Sequence, residues 1–178
     1  CLFVWTLCSL PTQALADQAK TSLREYSEEI IRACFLNDAN PVATWQRIFQ
    51  EGAAIREWLM SMKINVVNIE SANVDLKVLV GENRRWLGAD GCNIPSFENY
   101  TSPDYRGTSG TYFANMPSFL KGNYVRGVRL VFKDGRAVEV TAEEGEEFTK
   151  SQIGMDEGAC RVGEFSLTDK RHSPITKF

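Results

Sequence analysis

Two glutamates in unusual local settings are the residues of this chain whose types and neighbours could support chemistry. Glu98 lies in a segment bounded by Pro95 and Pro103, which restrict the backbone and can hold a side chain in place. Glu164 stands at the start of a predicted strand beside Gly163, where another group could approach closely. Most carboxylates are solvated surface groups. The residues alone therefore make Glu98 and Glu164 candidates for a functional site, but they do not specify a reaction.

The sequence lacks other motifs that commonly form metal, nucleotide-binding or catalytic sites. It has one histidine, His172, and five cysteines without CxxC spacing, so neither a zinc ribbon nor a disulfide framework is indicated. No glycine-rich nucleotide motif and no GxSxG elbow occurs. The formal net charge is −3 in 178 residues, which argues against a nucleic-acid partner. Reduced thiols and this composition predict a cytoplasmic protein.

The elements that must position these residues begin with an apolar N-terminal run. Its end, Ala14-Leu15-Ala16, is similar to the cleavage site of a secretory signal, but no basic segment precedes the run. We therefore favour a buried strand over residues 2–7, with Thr12 capping a helix. The run is too short to span a bilayer, which takes about 20 residues, so no membrane partner is expected.

Residues 17–62 are predicted to be helical. Thr21 or Ser22 can cap a first helix, and the chain breaks at 37–41, where Pro41 suits the first turn of a second helix. Apolar residues recur three or four apart along that second helix, a stripe typical of core packing.

After Met62 the apolar period changes to two, which predicts strands. Residues 91–109 are predicted to be a loop, and Asp134-Gly135 is typical of a two-residue type I′ hairpin. A short acidic helix is predicted over 142–152. The strands are predicted at 64–69, 74–80, 85–87, 111–113, 125–132, 137–140 and 163–167. Helices followed by a largely antiparallel sheet indicate an α+β fold.

Several segments, in order, resemble the thermophilic metallo-aminopeptidases, the family of aminopeptidase T and aminopeptidase S. The segment 91–103 is similar to the family signature "dGk-NMPdGEvftSP", and 156–165 is similar to "DeGArrlGEfal". The hairpin at 125–138, the Ser173-Pro174-Ile175 segment, Pro11-Thr12 and the segment 40–45 also match family patterns. The resemblance therefore extends through nearly the whole chain.

This resemblance implies an exopeptidase that removes single residues from peptide N-termini with two divalent metal ions, zinc, cobalt, manganese or magnesium. It assigns Glu98 to one metal ion and Glu164 to both, a role that suits the two oxygens of a carboxylate. It further implies a homodimer. Residues 1–62 would be the mostly helical end of an N-terminal α/β domain, and residues 63–178 the β-rich first part of the catalytic domain.

The sequence also departs from the family pattern. Ile94 replaces Met, and Ser96-Phe97 replaces Asp-Gly, immediately before Glu98. The family's remaining ligands, two His and an Asp, lie downstream of the segment matched by 173–175. We therefore expect an internal fragment of a larger peptidase, with little metal affinity and no activity alone. The alternative is a non-catalytic β-rich binding or dimerisation module related to the family.

Overall fold

A computed structural model of the chain describes residues 5–169 and 171–174. Their contacts divide them into two compact units. The first comprises the described residues of Cys1–Met62, Trp86–Tyr100 and Ser166–Phe178, and the second comprises Lys63–Arg85 and Thr101–Phe165. The assignment of 1–62 and 63–178 to an α/β domain and a catalytic domain stays a prediction.

The described residues combine helices with mostly antiparallel strands, and the predicted α+β class is confirmed. The helices are α1 (Gln13–Gln18), α2 (Leu23–Ala33), α3 (Pro41–Ser61) and α4 (Glu146–Ile153). The strands are β1 (Leu7–Cys8), β2 (Val66–Glu70), β3 (Asp75–Leu79), β4 (Leu87–Gly88), β5 (Asn93–Ile94), β6 (Glu98–Thr101), β7 (Ser109–Ala114), β8 (Ser118–Leu120), β9 (Asn123–Val125), β10 (Val128–Lys133), β11 (Arg136–Thr141) and β12 (Phe165–Thr168). None of these helices combines the length and apolarity of a membrane span.

The helices of the first unit begin where capping chemistry predicts. The Thr12 hydroxyl accepts a hydrogen bond from the Leu15 amide at the start of α1. Of the two candidate caps for α2, Ser22 is the one used, and it forms a reciprocal capping box with Glu25. The α3 helix begins at Pro41 as predicted, behind an asparagine cap. These ends satisfy amide groups that a helix leaves without an internal partner.

An aromatic cluster forms the core of the first unit. The rings of Trp45 and Phe97 are stacked, with centroids 5.5 Å apart and an interplanar angle of 15°. The Trp45 indole also donates to the Cys34 carbonyl oxygen over 3.0 Å. Buried Ile48 belongs to the same cluster. The apolar stripe predicted along α3 is therefore core packing only in part, because its members Val42 and Trp58 are 66% and 61% exposed.

Short strands complete the first unit, and two of them contradict the sequence-based prediction. The segment 91–109 is not a continuous loop, because it contains β5, β6 and the start of β7. Strand β6 pairs with β4 and lies between β4 and β12, while β5 pairs in parallel with β1. The inward-facing residues of β6 are polar, Asn99 and Thr101, so no hydrophobic alternation indicates a strand. The buried strand predicted over 2–7 is wrong for the described residues, since only Leu7 of this range lies in a strand, β1, and its side chain is 64% exposed. Residues 2–4 lie outside the described residues.

The second unit is built on a five-stranded sheet of order β11-β10-β7-β3-β2, whose neighbours are all antiparallel. Leu76, Val78 and Phe132 form its buried core. At the β10–β11 turn Asp134 has φ 50° and Gly135 has φ 76°, the positive values that a type I′ turn needs. The hairpin prediction is confirmed. The strand predicted over 125–132 is instead divided into β9 and β10.

Candidate functional site

Glu98 is the first residue of β6 and is half-buried. Its neighbours Phe97 and Asn99 are only 7% and 3% exposed. Since successive side chains of a strand point to opposite faces, Glu98 faces away from the core that receives these two. Within the described residues its carboxylate has no hydrogen-bond or ion-pair partner. Its oxygens are therefore free to act as ligands.

The backbone of Glu98 is closely packed against β4. Gly88 has φ 109°, and a Cβ built there would overlap the Glu98 carbonyl oxygen. Gly88 lies opposite Asn99 in the β4–β6 pair. Only glycine combines this backbone conformation with such a close approach. The strand that carries Glu98 is therefore held at a defined separation from β4.

Glu164 is exposed and lies immediately before β12. The segment leading to it is ordered by Asp156, whose Oδ1 accepts the Gly158 amide over 2.7 Å and the Ala159 amide over 2.8 Å. No described atom lies within 4 Å of a Cβ built on Gly163. Among the described residues, the space beside Gly163 is therefore open.

An arginine and a tyrosine hold the same segment from the other direction. The Arg161 guanidinium lies 4.8 Å from the Tyr105 ring centroid and donates to the Tyr105 carbonyl oxygen over 3.3 Å. Beside it, Arg106 forms a two-pronged ion pair with Asp104, with N–O distances of 2.8 and 2.5 Å. These hydrogen bonds hold the pKa of the Asp104 carboxyl well below its usual range. Arg161 thus connects the segment that leads toward Glu164 to the segment that carries Tyr105.

His172, the single histidine, belongs to the first unit and contacts Glu51 of α3 through Nε2 and Oε2. Arg47 reaches the other carboxylate oxygen over 3.1 Å. The hydrogen bond to His172, followed by the one to Arg47, lowers the pKa of the Glu51 carboxyl. His172 thus belongs to a hydrogen-bonded cluster with Glu51 and Arg47.

The donor chemistry of the two glutamates suits a divalent cation, because both carboxylates offer free oxygens. Glu98 belongs to the first unit and Glu164 to the second. Within residues 5–169 and 171–174, no group of three or more His, Cys, Asp or Glu side chains is placed to hold a metal ion. Each glutamate therefore fits a divalent cation only as one member of a larger ligand set. The four described cysteines are free thiols.

The sequence matches the family model described as thermophilic metalloprotease over residues 2–178. The chain belongs to this family. The resemblance seen in the motifs is thereby confirmed. Both Glu98 and Glu164 lie inside the matched region.

The chain is also similar to individual aminopeptidases. The chain is 29% identical over 187 aligned residues to aminopeptidase 2 of Geobacillus stearothermophilus, covering 97% of this chain and 45% of that protein. It is 31% identical to aminopeptidase T of Thermus aquaticus, covering 84% of this chain and 39% of that protein. The structure of wild-type AmpT from Thermus thermophilus matches with a TM-score of 0.74 at 30% identity, covering 82% of this chain and 38% of that one. The chain thus spans less than half the length of these relatives.

Proposed function

We propose that the complete protein containing this chain is a metal-dependent aminopeptidase that releases N-terminal residues from peptides. The family match over residues 2–178 is the observation that carries the proposal. Relatives named aminopeptidase 2 and aminopeptidase T support the substrate class. We further propose a cytoplasmic homodimer, in which residues 1–62 end an N-terminal α/β domain and residues 63–178 begin the catalytic domain.

Glu98 and Glu164 are the proposed metal ligands of this chain. Their free carboxylates support this role, with Glu98 binding one divalent ion and Glu164 shared between two. A pair of zinc, cobalt, manganese or magnesium ions bound there would polarise a carbonyl group and lower the pKa of a bound water. The chain's own part is to hold two negatively charged oxygen donors on ordered segments. We further propose that the remaining ligands lie outside the described residues and that the isolated chain is inactive.

A non-catalytic binding or dimerisation module is the second candidate. It is favoured by the departures from the family signature immediately before Glu98, where Ile94 replaces Met and Ser96-Phe97 replaces Asp-Gly. Metal analysis of the complete protein separates the two candidates. About two equivalents of divalent metal per chain are expected for the peptidase, and none for the module.

Substitution of the two glutamates tests the peptidase proposal directly. Glu98→Gln and Glu164→Gln remove the charge but keep the side-chain shape, so each is expected to reduce bound metal and abolish hydrolysis of amino-acyl chromogenic substrates. Glu157→Gln is the matched control, since Glu157 is an exposed carboxylate seven positions before Glu164 in the same segment. Full activity in Glu164→Gln would remove this residue from the ligand set.

A further inference from the structure

An arginine of α3 connects the two strands at which Glu98 is held. The Arg56 guanidinium donates through Nη1 to the Gly88 carbonyl oxygen of β4. The same nitrogen lies 3.3 Å from Oδ1 of Asn99 in β6. Gly88 and Asn99 are directly opposite each other in the β4–β6 pair. One positive group therefore contacts both strands at the position next to Glu98.

The environment of Asn99 makes this contact necessary. Its side chain is almost completely buried, and a buried amide without a hydrogen-bond partner is costly. Among the described residues, Arg56 is the side-chain donor that reaches Asn99 Oδ1. Removing the guanidinium would leave both this oxygen and the Gly88 carbonyl oxygen without that donor.

The helix is brought close enough for this contact by a glycine one turn earlier. A Cβ built on Gly52 would lie 2.8 Å from the Ala89 Cβ and 3.4 Å from Arg56 Nη1. Any larger residue would therefore push α3 away from the end of β4. Gly52 and Arg56 are four residues apart and occupy the same helix face.

The two neighbours of Glu98 are thus both anchored on α3 within the first unit. Phe97 stacks on Trp45, and Asn99 contacts Arg56. Glu98 stands between them, and its side chain is on the opposite face of the strand. Anchoring on both sides limits rotation of the strand about its own axis, which would otherwise change the direction of the carboxylate.

We propose that Arg56 is a positioning residue that orients Glu98 for metal binding through Asn99 and the β4 backbone. This inference rests on the ligand role proposed for Glu98. Loss of groups that orient a metal ligand typically lowers metal affinity by about 10- to 100-fold, and we expect Arg56→Met to fall in this range. Arg56→Lys keeps the positive charge and one donor nitrogen but lacks the planar guanidinium, so it should lose less metal affinity than Arg56→Met.

The test is a double-mutant cycle on the complete protein, with Co²⁺ binding followed by calorimetry and by the visible absorption of the bound ion. The variants are Arg56→Met, Glu98→Gln and the pair, with Arg47→Met as matched control. Arg47 lies on the same helix and also pairs with an acceptor, but that pair is exposed. We expect weaker Co²⁺ binding and an altered absorption spectrum in Arg56→Met, no further loss when it is added to Glu98→Gln, and no change in Arg47→Met.

Three outcomes would overturn the inference. If Glu98→Gln weakens Co²⁺ binding but folded Arg56→Met binds it as the parent does, Arg56 has only a structural role and the proposed function stands. Additive losses in the double variant would likewise show that Arg56 does not act through Glu98. If Glu98→Gln itself binds Co²⁺ normally, the proposed ligand role fails together with the inference. Should Arg56→Met not fold, the cycle is run with Arg56→Lys against Arg47→Lys, and the same criteria decide.

Discussion

Replacing Phe97 by alanine is expected to destabilise the first unit strongly, although the related family signature carries glycine at this position. The Phe97 ring is buried, stacks on Trp45 and makes an edge contact with Phe35 at 6.1 Å. Removing a buried phenylalanine ring costs about 3 to 5 kcal/mol, partly from lost transfer energy and partly from the cavity left behind. The cluster is small and bordered by half-buried residues. It can therefore close partly around the cavity, and we expect about 3 kcal/mol, the lower end of that range.

Urea unfolding followed by tryptophan fluorescence measures this effect, because all four tryptophans lie in the first unit. With an m value of about 2 kcal/mol per molar urea, the expected shift of the midpoint is about 1.5 M to lower urea. Phe97→Leu fills most of the space but loses the ring contacts, so it should cost about 1 kcal/mol. Phe97→Gly, the residue of the related signature, should cost at least as much as alanine because it also frees the unfolded backbone.

Val42→Ala is the control for this series, since Val42 is an α3 residue that is 66% exposed. Its effect should stay within about 0.5 kcal/mol. The reasoning would be refuted if Phe97→Ala shifted the midpoint no more than Val42→Ala, or if Phe97→Gly were stabilising. Either result would mean that Phe97 does not pack as the stacked geometry requires.

Three further perturbations test other parts of the fold. Gly88→Ala should destabilise the first unit by about 1 to 3 kcal/mol, from the positive φ alone, and unchanged fluorescence-detected unfolding would contradict this. Arg106 lowers the pKa of the Asp104 carboxyl, so the stabilisation from their ion pair is present above about pH 4, the ordinary pKa of an aspartate, and is lost as the pH falls further. Asp104→Asn should therefore reduce the loss of folding stability between about pH 5 and pH 2, measured by circular dichroism. Parallel pH profiles of the variant and the parent would exclude the ion pair as the cause of that loss. Ser22→Ala should cost about 1 kcal/mol by removing the α2 cap, and Thr21→Ala, measured in the same urea series, should cost less.

Local sequence signals predicted the elements whose causes lie within a few residues. Thr12 caps α1 through an amide three residues away, and the Asp134-Gly135 turn needs only its own two positive φ values. Local sequence signals do not predict strand β6, because its stability depends on residues that are distant in the sequence. Asn99 reaches its arginine 43 residues earlier in the chain, and no pattern of neighbouring residues reveals such a contact.

The sequence by itself determined the family, the α+β class and the two candidate ligands Glu98 and Glu164, because motifs and periodicity are properties of short segments. Only the tertiary structure decided that Phe97 and Asn99 point into the core and leave Glu98 on the other face of β6. It also decided that Gly163 has no close neighbour in the described residues. A side chain's surroundings are set by residues that are distant in sequence and adjacent in space, so they follow from packing and pairing rather than from local pattern.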